Sequence, residues 1–348
     1  MRRLALIALL IAVVSSAGLA ADDHPVLVYP CPLADAPPTI DGVLGDAAWT
    51  GAPLVSGFTL YNKPEVMAVQ TAWRATYDSE RLYIGIQCAE PLAEDLAPHK
   101  TARDNHDLFG NEAVEVFLEP NHDHANYYQL AFSVGGGVWD SLKSDTVWNA
   151  DIASATSVGE AVWFVEFSIP WADLGIEATS GDVIGINICR DRTIANAREW
   201  SNWSQTNANF HDPQRFGHLV LSPTPETLAG LRDDLRKGDR SGPMRIFSTE
   251  GFANTSYRGM GQQALASVDE HLEALSDTTG EDAVTQAELA RLVKTYREQL
   301  APIRTKIAGD APIDGAAWTD LDWQLNELAS SLEDAVWKAR LTALLSRI

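Results

Sequence analysis

The run PTIDGVLGDAAW (Pro38–Trp49) opens a segment of about 180 residues that is patterned almost entirely as short β-strands, and FHDPQRFGHLVL (Phe210–Leu221) closes it. Between these runs, apolar segments alternate with turn-forming clusters such as Gly135–Gly137 and Thr179–Asp182. Many short strands with regular turns, and almost no helical period between them, favour a sandwich of two sheets. The sequence therefore predicts a mainly β protein with an antiparallel β-sandwich, of immunoglobulin-like or jelly-roll type, over residues 25–222.

The alternation of side chains along two neighbouring strands indicates which face of each strand lies in the core. Successive side chains of a strand point to opposite faces of the sheet. The faces that contain Glu115 and Gln129 are mixed in polarity, and we expect them to line an accessible surface. The opposite faces are apolar and are expected to fill the core: Val114, Val116 and Leu118 on the first strand, and Tyr128, Leu130, Phe132 and Val134 on the second. Glu166 is likewise expected to face away from the core.

The apolar period becomes helical after Ser222. Pro223 and Pro225 form a stiff joint, and beyond them apolar residues recur every three or four positions, as in amphipathic helices. Three stripes show this spacing: Leu265–Leu275, Leu289–Ile307 and Leu321–Val336. We expect a C-terminal α-helical bundle over residues 223–348 with a connecting loop at 238–260. The regular third stripe also suits a protein partner or self-association through these helices.

Residues 1–20 have the pattern of a secretory signal peptide. Arg2 and Arg3 precede the apolar stretch Leu4–Val14, and small residues lead to Ala20. The alternative is a membrane anchor, but the apolar stretch is short for a bilayer span. We therefore expect cleavage near Ala20 and a secreted or periplasmic protein without a membrane segment.

Charge and cysteine content limit the partners and the covalent links of the chain. The chain has 26 Lys and Arg against 48 Asp and Glu residues and a formal net charge of −22. Such a surface repels nucleic acid and anionic lipid and suits a neutral or cationic ligand, although it is also usual for a secreted protein. Cys31, Cys88 and Cys189 allow one disulfide and one free thiol in an oxidising compartment, and their spacing does not choose the pair.

Six strings, in order along residues 38–221, resemble the family 9 carbohydrate-binding modules and their broader family-9-like relatives. The strings are Thr39–Gly42 with Asp46 and Trp49, TYDSERLYIGIQC at 76–88, GNEAVEVFLEP at 110–120, VEFSIPW at 165–171, GINICRDR at 185–192 and NFHDPQRFGHLVL at 209–221. The C-terminal helical part is not covered. The resemblance implies a non-catalytic sandwich that binds carbohydrate and is linked to polysaccharide breakdown.

The resemblance also implies a set of carbohydrate-binding residues. Two aromatic rings clamp a sugar in the family and correspond to Phe109 and Phe210, while an acidic residue corresponds to Glu115 and an amide to Asn207. Sugar rings present C–H groups that stack on aromatic faces, and hydroxyls that need oriented polar partners. Two features depart from the family: Phe stands where Trp is typical, and the following strand, QLAFSV at 129–134, lacks the family's arginine.

Further residues are candidates for ligand or metal contacts. Arg103 or Arg190 could replace the missing arginine. The resemblance implies structural Ca²⁺, with no cofactor required, and the loop before Phe109 supplies Asp104 and Asp107 as candidate ligands, a solvated loop being the alternative. The turn that contains His122 and His124 could bind a transition metal or be a simple polar turn. Additional stacking candidates are Trp73, Trp139, Trp148, Trp200 and Trp203.

Three other functions remain open at this point. A family-9-like scaffold without sugar binding would serve as an interaction domain. A haem-binding redox sandwich would use Met and His ligands, but Met67 is the one methionine in residues 25–222, and no CxxCH occurs. A glycoside hydrolase needs two carboxylates about 5–10 Å apart, whereas Glu112 and Glu115 lie three apart on one strand and point to opposite faces. The sequence therefore favours binding over catalysis without deciding whether the protein is an enzyme.

Overall fold

A computed structural model describes residues 24–194, 197–237, 243–253, 255–279 and 282–345. The predicted signal peptide, residues 1–20, lies outside the described residues. The described strands are β1 Val26–Cys31, β2 Thr59–Leu60, β3 Thr71–Tyr77, β4 Arg81–Ala89, β5 Ala113–Glu119, β6 Tyr128–Ser133, β7 Val138–Leu142, β8 Ala153–Val158, β9 Val162–Pro170, β10 Val183–Ile194, β11 Ala197–Asn202, β12 Gly217–Leu221, β13 Met244–Ile246, β14 Gly251–Phe252 and β15 Thr255–Ser256. The described α-helices are α1 Pro225–Lys237, α2 Tyr257–Ser276, α3 Ala283–Ala308 and α4 Gly315–Leu345.

Two facing sheets form the sandwich. Over the described residues, the large sheet has nine strands in the order β13-β1-β12-β10-β5-β6-β7, with β11 paired to both β10 and β2. The small sheet has four strands in the order β3-β4-β9-β8. Every pairing between these strands is antiparallel except the two made by β1, which runs parallel to β12 and to β13. The predicted antiparallel sandwich is therefore confirmed, with one mixed edge.

The core between the sheets confirms the predicted faces of the central strands. Val116 and Leu130 are completely buried there, and Phe132 of the large sheet stacks on Phe167 of the small sheet with ring centroids 4.5 Å apart. Phe117 belongs to a separate cluster on the outer face of the large sheet. The alternation of polarity along β5 and β6 thus separates a buried apolar face from a mixed outer face, where the candidate site lies.

Glu166 explains why the run PTIDGVLGDAAW marks this fold. Its carboxylate accepts hydrogen bonds from the backbone N–H groups of Asp41 and Gly42, at 2.9 and 3.0 Å, and from the indole N–H of Trp49 at 3.1 Å. Gly42 has a φ of 82° and lies against the backbone of Thr156, where a Cβ would come within 3.1 Å. Glu166 faces away from the core as expected, but the run covers it, and its burial raises its pKa.

The three cysteines are buried free thiols. Cys31 and Cys88 lie in the core between the sheets, whereas Cys189 lies in a cluster on the outer face of the large sheet. Burial raises the pKa of all three thiols, that of Cys88 to about 12. The disulfide that their number allows is therefore not formed in this structure.

The C-terminal part is helical, as predicted. Helices α2, α3 and α4 pack around a second core that contains Leu272, Leu300 and Leu332, whereas Leu231 of α1 packs against β1 and β12. Among the described helices, none combines the length and the apolar character that a membrane span requires.

The segment expected to be a connecting loop, 238–260, contains regular structure where it is described. Strand β13 adds to the edge of the large sheet by pairing Met244 with Val26 and Ile246 with Val28, and Phe247 lies in the core of the sandwich. The sandwich therefore continues past residue 222. Folding of residues 22–222 on their own, which the proline-rich joint at Pro223 and Pro225 favours, stays a prediction.

A series of aromatic contacts connects the two cores. Ring centroids are 4.9, 5.7, 5.0 and 5.7 Å apart along the series Trp73, Trp203, Phe247, Phe252 and Tyr257. At the start of α4, the N–H of Gly315 donates to the carbonyl of Leu54 at 3.1 Å. A Cβ at Gly315 would lie 2.4 Å from that oxygen, so the approach requires glycine. The bundle is thus packed directly on the sandwich.

Candidate functional site

A cavity of about 350 Å³ lies on the outer face of the large sheet. We call it the sheet-face cavity; its lining residues are Tyr61, Phe109, Glu115, Asp191, Trp200, Asn209, Phe210 and His211. The register of β5 with β10 pairs Glu115 with Cys189 and Ala113 with Asp191, so the two acidic residues are diagonal neighbours on one face. Phe109 comes from a 3₁₀ helix, His106–Gly110, immediately before β5.

Three of the four predicted carbohydrate-binding residues line this cavity: Phe109, Glu115 and Phe210. Asn207 lies outside the lining; its side chain is exposed, and its backbone N–H donates to the carboxylate of Asp212 at 3.0 Å. Asn209 lines the cavity instead. The hydroxyl of Tyr61 donates to the carbonyl of Ala208. This hydrogen bond anchors the loop that places Asn209 at the cavity.

The aromatic rings of the cavity differ in exposure. Phe210 is 8% exposed and packs edge-on against Tyr61, with centroids 5.7 Å apart. Phe109 is half-buried and packs against Trp139 at 5.3 Å, which fixes the orientation of its ring. Trp200 is 44% exposed, more than any Phe or Tyr of the lining. Of the five additional tryptophans considered, it is the one that reaches this cavity.

Glu115 and Asp191 form a buried carboxyl pair beside these rings. They are 6% and 4% exposed, and their side chains hydrogen-bond to each other. Burial raises the pKa of Glu115 well above its ordinary range and raises the pKa of Asp191 to about 6. We assign the shared proton to Glu115, which then donates to Asp191, while the amide of Gln129 donates to Glu115 at 2.5 Å. The surface expected to be accessible around Glu115 and Gln129 is therefore largely covered.

Neither arginine considered as a substitute for the family's arginine reaches this pair. Arg190 is 1% exposed and ion-pairs with Glu112 and Glu90 on the core side of β10. Arg103 ion-pairs with Asp140 at 2.6 Å. Across the described residues, no Lys or Arg forms an ion pair with Glu115 or Asp191. The polar side chain next to Glu115 is instead Gln129, whose amide donates to its carboxyl group.

Glycoside hydrolysis uses two carboxyl groups about 5–10 Å apart. Glu115 and Asp191 interact as a buried pair on the outer face of the sheet. Glu112 faces the core, as expected from its spacing, and accepts a hydrogen bond from the indole N–H of Trp163 at 3.2 Å. It therefore lies outside the lining of the sheet-face cavity.

The acidic loop before Phe109 is organised by local hydrogen bonds. Asp104 accepts from the N–H of Asp140 at 3.3 Å, and Asn105 accepts from the N–H of Asp107 at 2.9 Å. No group of three His, Cys, Asp or Glu side chains suited to a metal ion occurs in the part of the chain that the structure describes. Asp104 and Asp107 therefore do not form a complete ligand set by themselves, and calcium stays a prediction of the resemblance.

The turn at His122 and His124 packs toward its neighbours. The Nε2 atom of His122 lies 2.8 Å from Nδ1 of the buried His218, and His124 lies 3.5 Å from the carboxylate of the buried Glu119. These contacts pack the turn, which follows β5, against His218 of β12.

Comparison with known proteins adds a family and several relatives. A family profile described as carbohydrate family 9 binding domain-like matches residues 40–224. The chain is 24% identical over 233 residues to endo-1,4-beta-xylanase A of Thermoanaerobacterium saccharolyticum, covering 63% of this chain and 19% of that protein. It is 25% identical over 233 residues to the exoglucanase XynX of Acetivibrio thermocellus, covering 60% of this chain and 20% of that protein. The chain thus spans about a fifth of the length of these relatives.

Two solved structures are similar to the sandwich. A family 9 carbohydrate-binding module from Caldicellulosiruptor kristjanssonii, in complex with cellotriose, has 17% identity and a TM-score of 0.43, covering 57% of this chain and 95% of that one. A putative carbohydrate-binding protein from Bacteroides uniformis ATCC 8492 has 15% identity and a TM-score of 0.45, covering 57% of this chain and 99% of that one.

Proposed function

Because the chain belongs to the carbohydrate family 9 binding domain-like family, we propose that it binds a carbohydrate non-covalently in the sheet-face cavity. The observation that carries this proposal is the combination, in one cavity, of aromatic rings with a buried carboxyl pair. A sugar offers the complementary surface, since its C–H faces stack on aromatic rings and its hydroxyls both donate and accept hydrogen bonds.

The residues divide the task of recognition between them. Trp200 and Phe109 supply the stacking surfaces, and Phe210 completes the predicted clamp from a more buried position. Asp191 has acceptor capacity left for a sugar hydroxyl while Glu115 donates to it, and a charge-assisted hydrogen bond of this kind is stronger than a neutral one. Asn209 adds an amide at the rim, the role that the resemblance suggested for Asn207.

We further propose a β-1,4-linked xylan or glucan as the ligand. Support comes from relatives named as a xylanase and an exoglucanase. A net charge of −22 is also compatible with a neutral polysaccharide. In this proposal the protein acts as a binding module, secreted or periplasmic through its predicted signal peptide, in polysaccharide breakdown.

The helical bundle is proposed as a spacer, docking or oligomerisation element. Trp337 and Leu344 of α4 are 66% and 59% exposed. Large apolar side chains exposed on one helix are compatible with a protein partner or self-association. Analytical ultracentrifugation over a range of concentrations tests self-association, and a monomer at all of them would exclude it.

A glycan array probed with the full chain, without residues 1–20, tests the proposed function. We expect binding to xylo- or cello-oligosaccharides above the signal of unrelated glycans. A folded protein, with a circular dichroism spectrum of mixed β and α type, that binds no glycan on the array would contradict the proposal and favour the interaction scaffold.

A further inference from the structure

A second and larger cavity, of about 820 Å³, lies where the sandwich meets the helical bundle. We call it the interdomain cleft. Its walls include Gln205 after β11, Arg245 in β13, Tyr257 in α2 and Trp318 in α4. It shares no lining residue with the sheet-face cavity. A ligand in the cleft would therefore contact both domains and would be independent of the first site.

The apolar part of the cleft is built from aromatic rings: Trp203, Phe247, Phe252, Tyr257 and Trp318. The first four are in successive ring contact, and Tyr257 in turn faces Trp318 with centroids 6.4 Å apart. These contacts hold the rings in place before any ligand binds. Phe252 is the most exposed of the five, since the other four are at most 8% exposed, so its ring offers a sugar a fixed stacking face with little loss of side-chain freedom.

Two residues in this wall carry polar groups without a partner. The indole N–H of Trp203 and the hydroxyl of Tyr257 have no hydrogen-bond partner among the described residues, although the residues are only 2% and 1% exposed. Burial, with the nearby charge of Asp314, raises the pKa of Tyr257, so its hydroxyl remains protonated and can donate. Buried polar groups are normally paired; because both donor atoms are shielded from solvent, an acceptor oxygen reaches them only if the surrounding rings shift.

The polar residues of the cleft suit a neutral ligand. Gln205 of the sandwich and Gln263 of α2 form no hydrogen bonds through their side chains within the described ranges, so each amide can both donate and accept. Arg245 and Asp322 contribute one charge of each sign from opposite domains. The cleft thus combines balanced charge, amides and aromatic rings.

We propose that the interdomain cleft is a second carbohydrate-binding site, which takes a neutral oligosaccharide segment between the sandwich and the bundle. This site goes beyond the function proposed above, because it uses different residues and does not require the sheet-face cavity to be occupied. Two sites on one chain would also increase the avidity for a polymer that reaches both.

The test is a fluorine NMR titration of the full chain labelled with 5-fluorotryptophan. The chain has 11 tryptophans, and single Trp→Phe variants at Trp200, Trp203 and Trp318 assign the resonances of the two sites. Xylotetraose and cellotetraose are the probes. We expect the Trp203 and Trp318 resonances to shift saturably with at least one sugar, and to do so also in a Trp200→Ala background. If both stay unmoved up to about 10 mM of either sugar, the cleft proposal is wrong.

Matched variants on α2 separate binding in the cleft from a general effect. Gln263→Ala should weaken the cleft titration by about 3- to 10-fold, as the loss of one hydrogen bond does. Gln262→Ala, at the adjacent exposed position outside the lining, should change it less than about twofold. Equal effects of both variants would overturn the assignment of the shifts to the cleft. A shift of the Trp200 resonance alone would overturn the cleft proposal and leave the sheet-face site standing.

Discussion

Buried acidic side chains lie on both sides of the large sheet, and what accompanies them differs. On the core side, Glu112 and Glu90 ion-pair with the buried Arg190 at 2.5 and 3.1 Å. On the outer face, Glu115 and Asp191 are buried against each other without such an ion pair in the described residues. Apart from Glu90, which follows β4 of the small sheet, the two sets come from β5, β10 and their immediate flanks, so strand position alone does not account for the difference.

This difference separates charged side chains that stabilise the fold from those that bind a ligand. A buried acid with an opposite charge is compensated by the fold itself, and breaking the pair leaves an uncompensated charge. A buried pair of acids opposes folding, and strongly shifted carboxyl groups in a cavity are typical of functional sites. The core set should therefore control stability, and the outer pair should control ligand binding.

The largest expected effect is on the core set. Arg190→Leu should lower the free energy of unfolding by about 3–5 kcal/mol, because Glu112 would remain buried without a counter-charge and Glu90 would keep only its ion pair with Arg192. Urea denaturation followed by tryptophan fluorescence measures it. Lys294→Gln, which removes an exposed ion pair with Glu298 in α3, should cost less than about 0.5 kcal/mol. If the two variants lower the free energy of unfolding by similar amounts, the proposed difference between the core side and the outer face of the large sheet is wrong.

The outer pair should make stability fall as pH rises. The folded pKa of Asp191 is about 6 and that of Glu115 is raised, so folding binds protons, and the stabilisation present below pH 4 is lost as pH rises through the folded pKa values. Between pH 4 and 7.5, wild type should lose about 1–3 kcal/mol more unfolding free energy than Asp191→Asn. Other titrating groups are common to both proteins. Parallel pH profiles would show that Asp191 titrates normally.

The smallest effect concerns the amide at the rim of the cavity. Asn209→Ala should weaken binding in the sheet-face cavity by about 2- to 10-fold, because one hydrogen bond to the sugar is lost. Asn207→Ala should change it less than about twofold. The shift of the Trp200 fluorine resonance in a sugar titration measures the affinity of both variants. The reverse order would restore Asn207 to the site and displace Asn209.

The fold was predictable because its main signals are local. Alternation along residues 113–119 and 127–134 identifies both faces of β5 and β6, and a change of period after Ser222 identifies the helices. Strand β13 was not predictable, since three residues form it and its partner β1 lies more than 200 residues earlier in the chain. Met244 and Ile246 of this strand pack in the cluster that contains Val28 of β1 and Leu231 of α1, contacts that no local pattern records.

The candidate site was predictable only for the residues that lie within a recognisable motif. Phe109, Glu115 and Phe210 lie in recognisable strings, whereas Asp191 and Trp200 enter the cavity through the pairing of β10 with β5 and with β11. That register brings residues about 80 positions apart into contact, and no local pattern records it. The exposure of Trp200 was also hidden, because most tryptophans in a sandwich lie in the core.

The central claim, that the sheet-face cavity binds a sugar, is tested most directly by the Trp200 fluorine resonance in titrations of xylotetraose and cellotetraose. In wild type the resonance should shift to saturation, and Phe109→Ala should require about 5- to 150-fold more sugar, as loss of an aromatic anchor does. Val116→Ala, which faces the core, should lower stability by about 1–3 kcal/mol and leave the titration within twofold. A Trp200 resonance that moves with neither sugar, or a Phe109→Ala titration identical to wild type, would contradict the account.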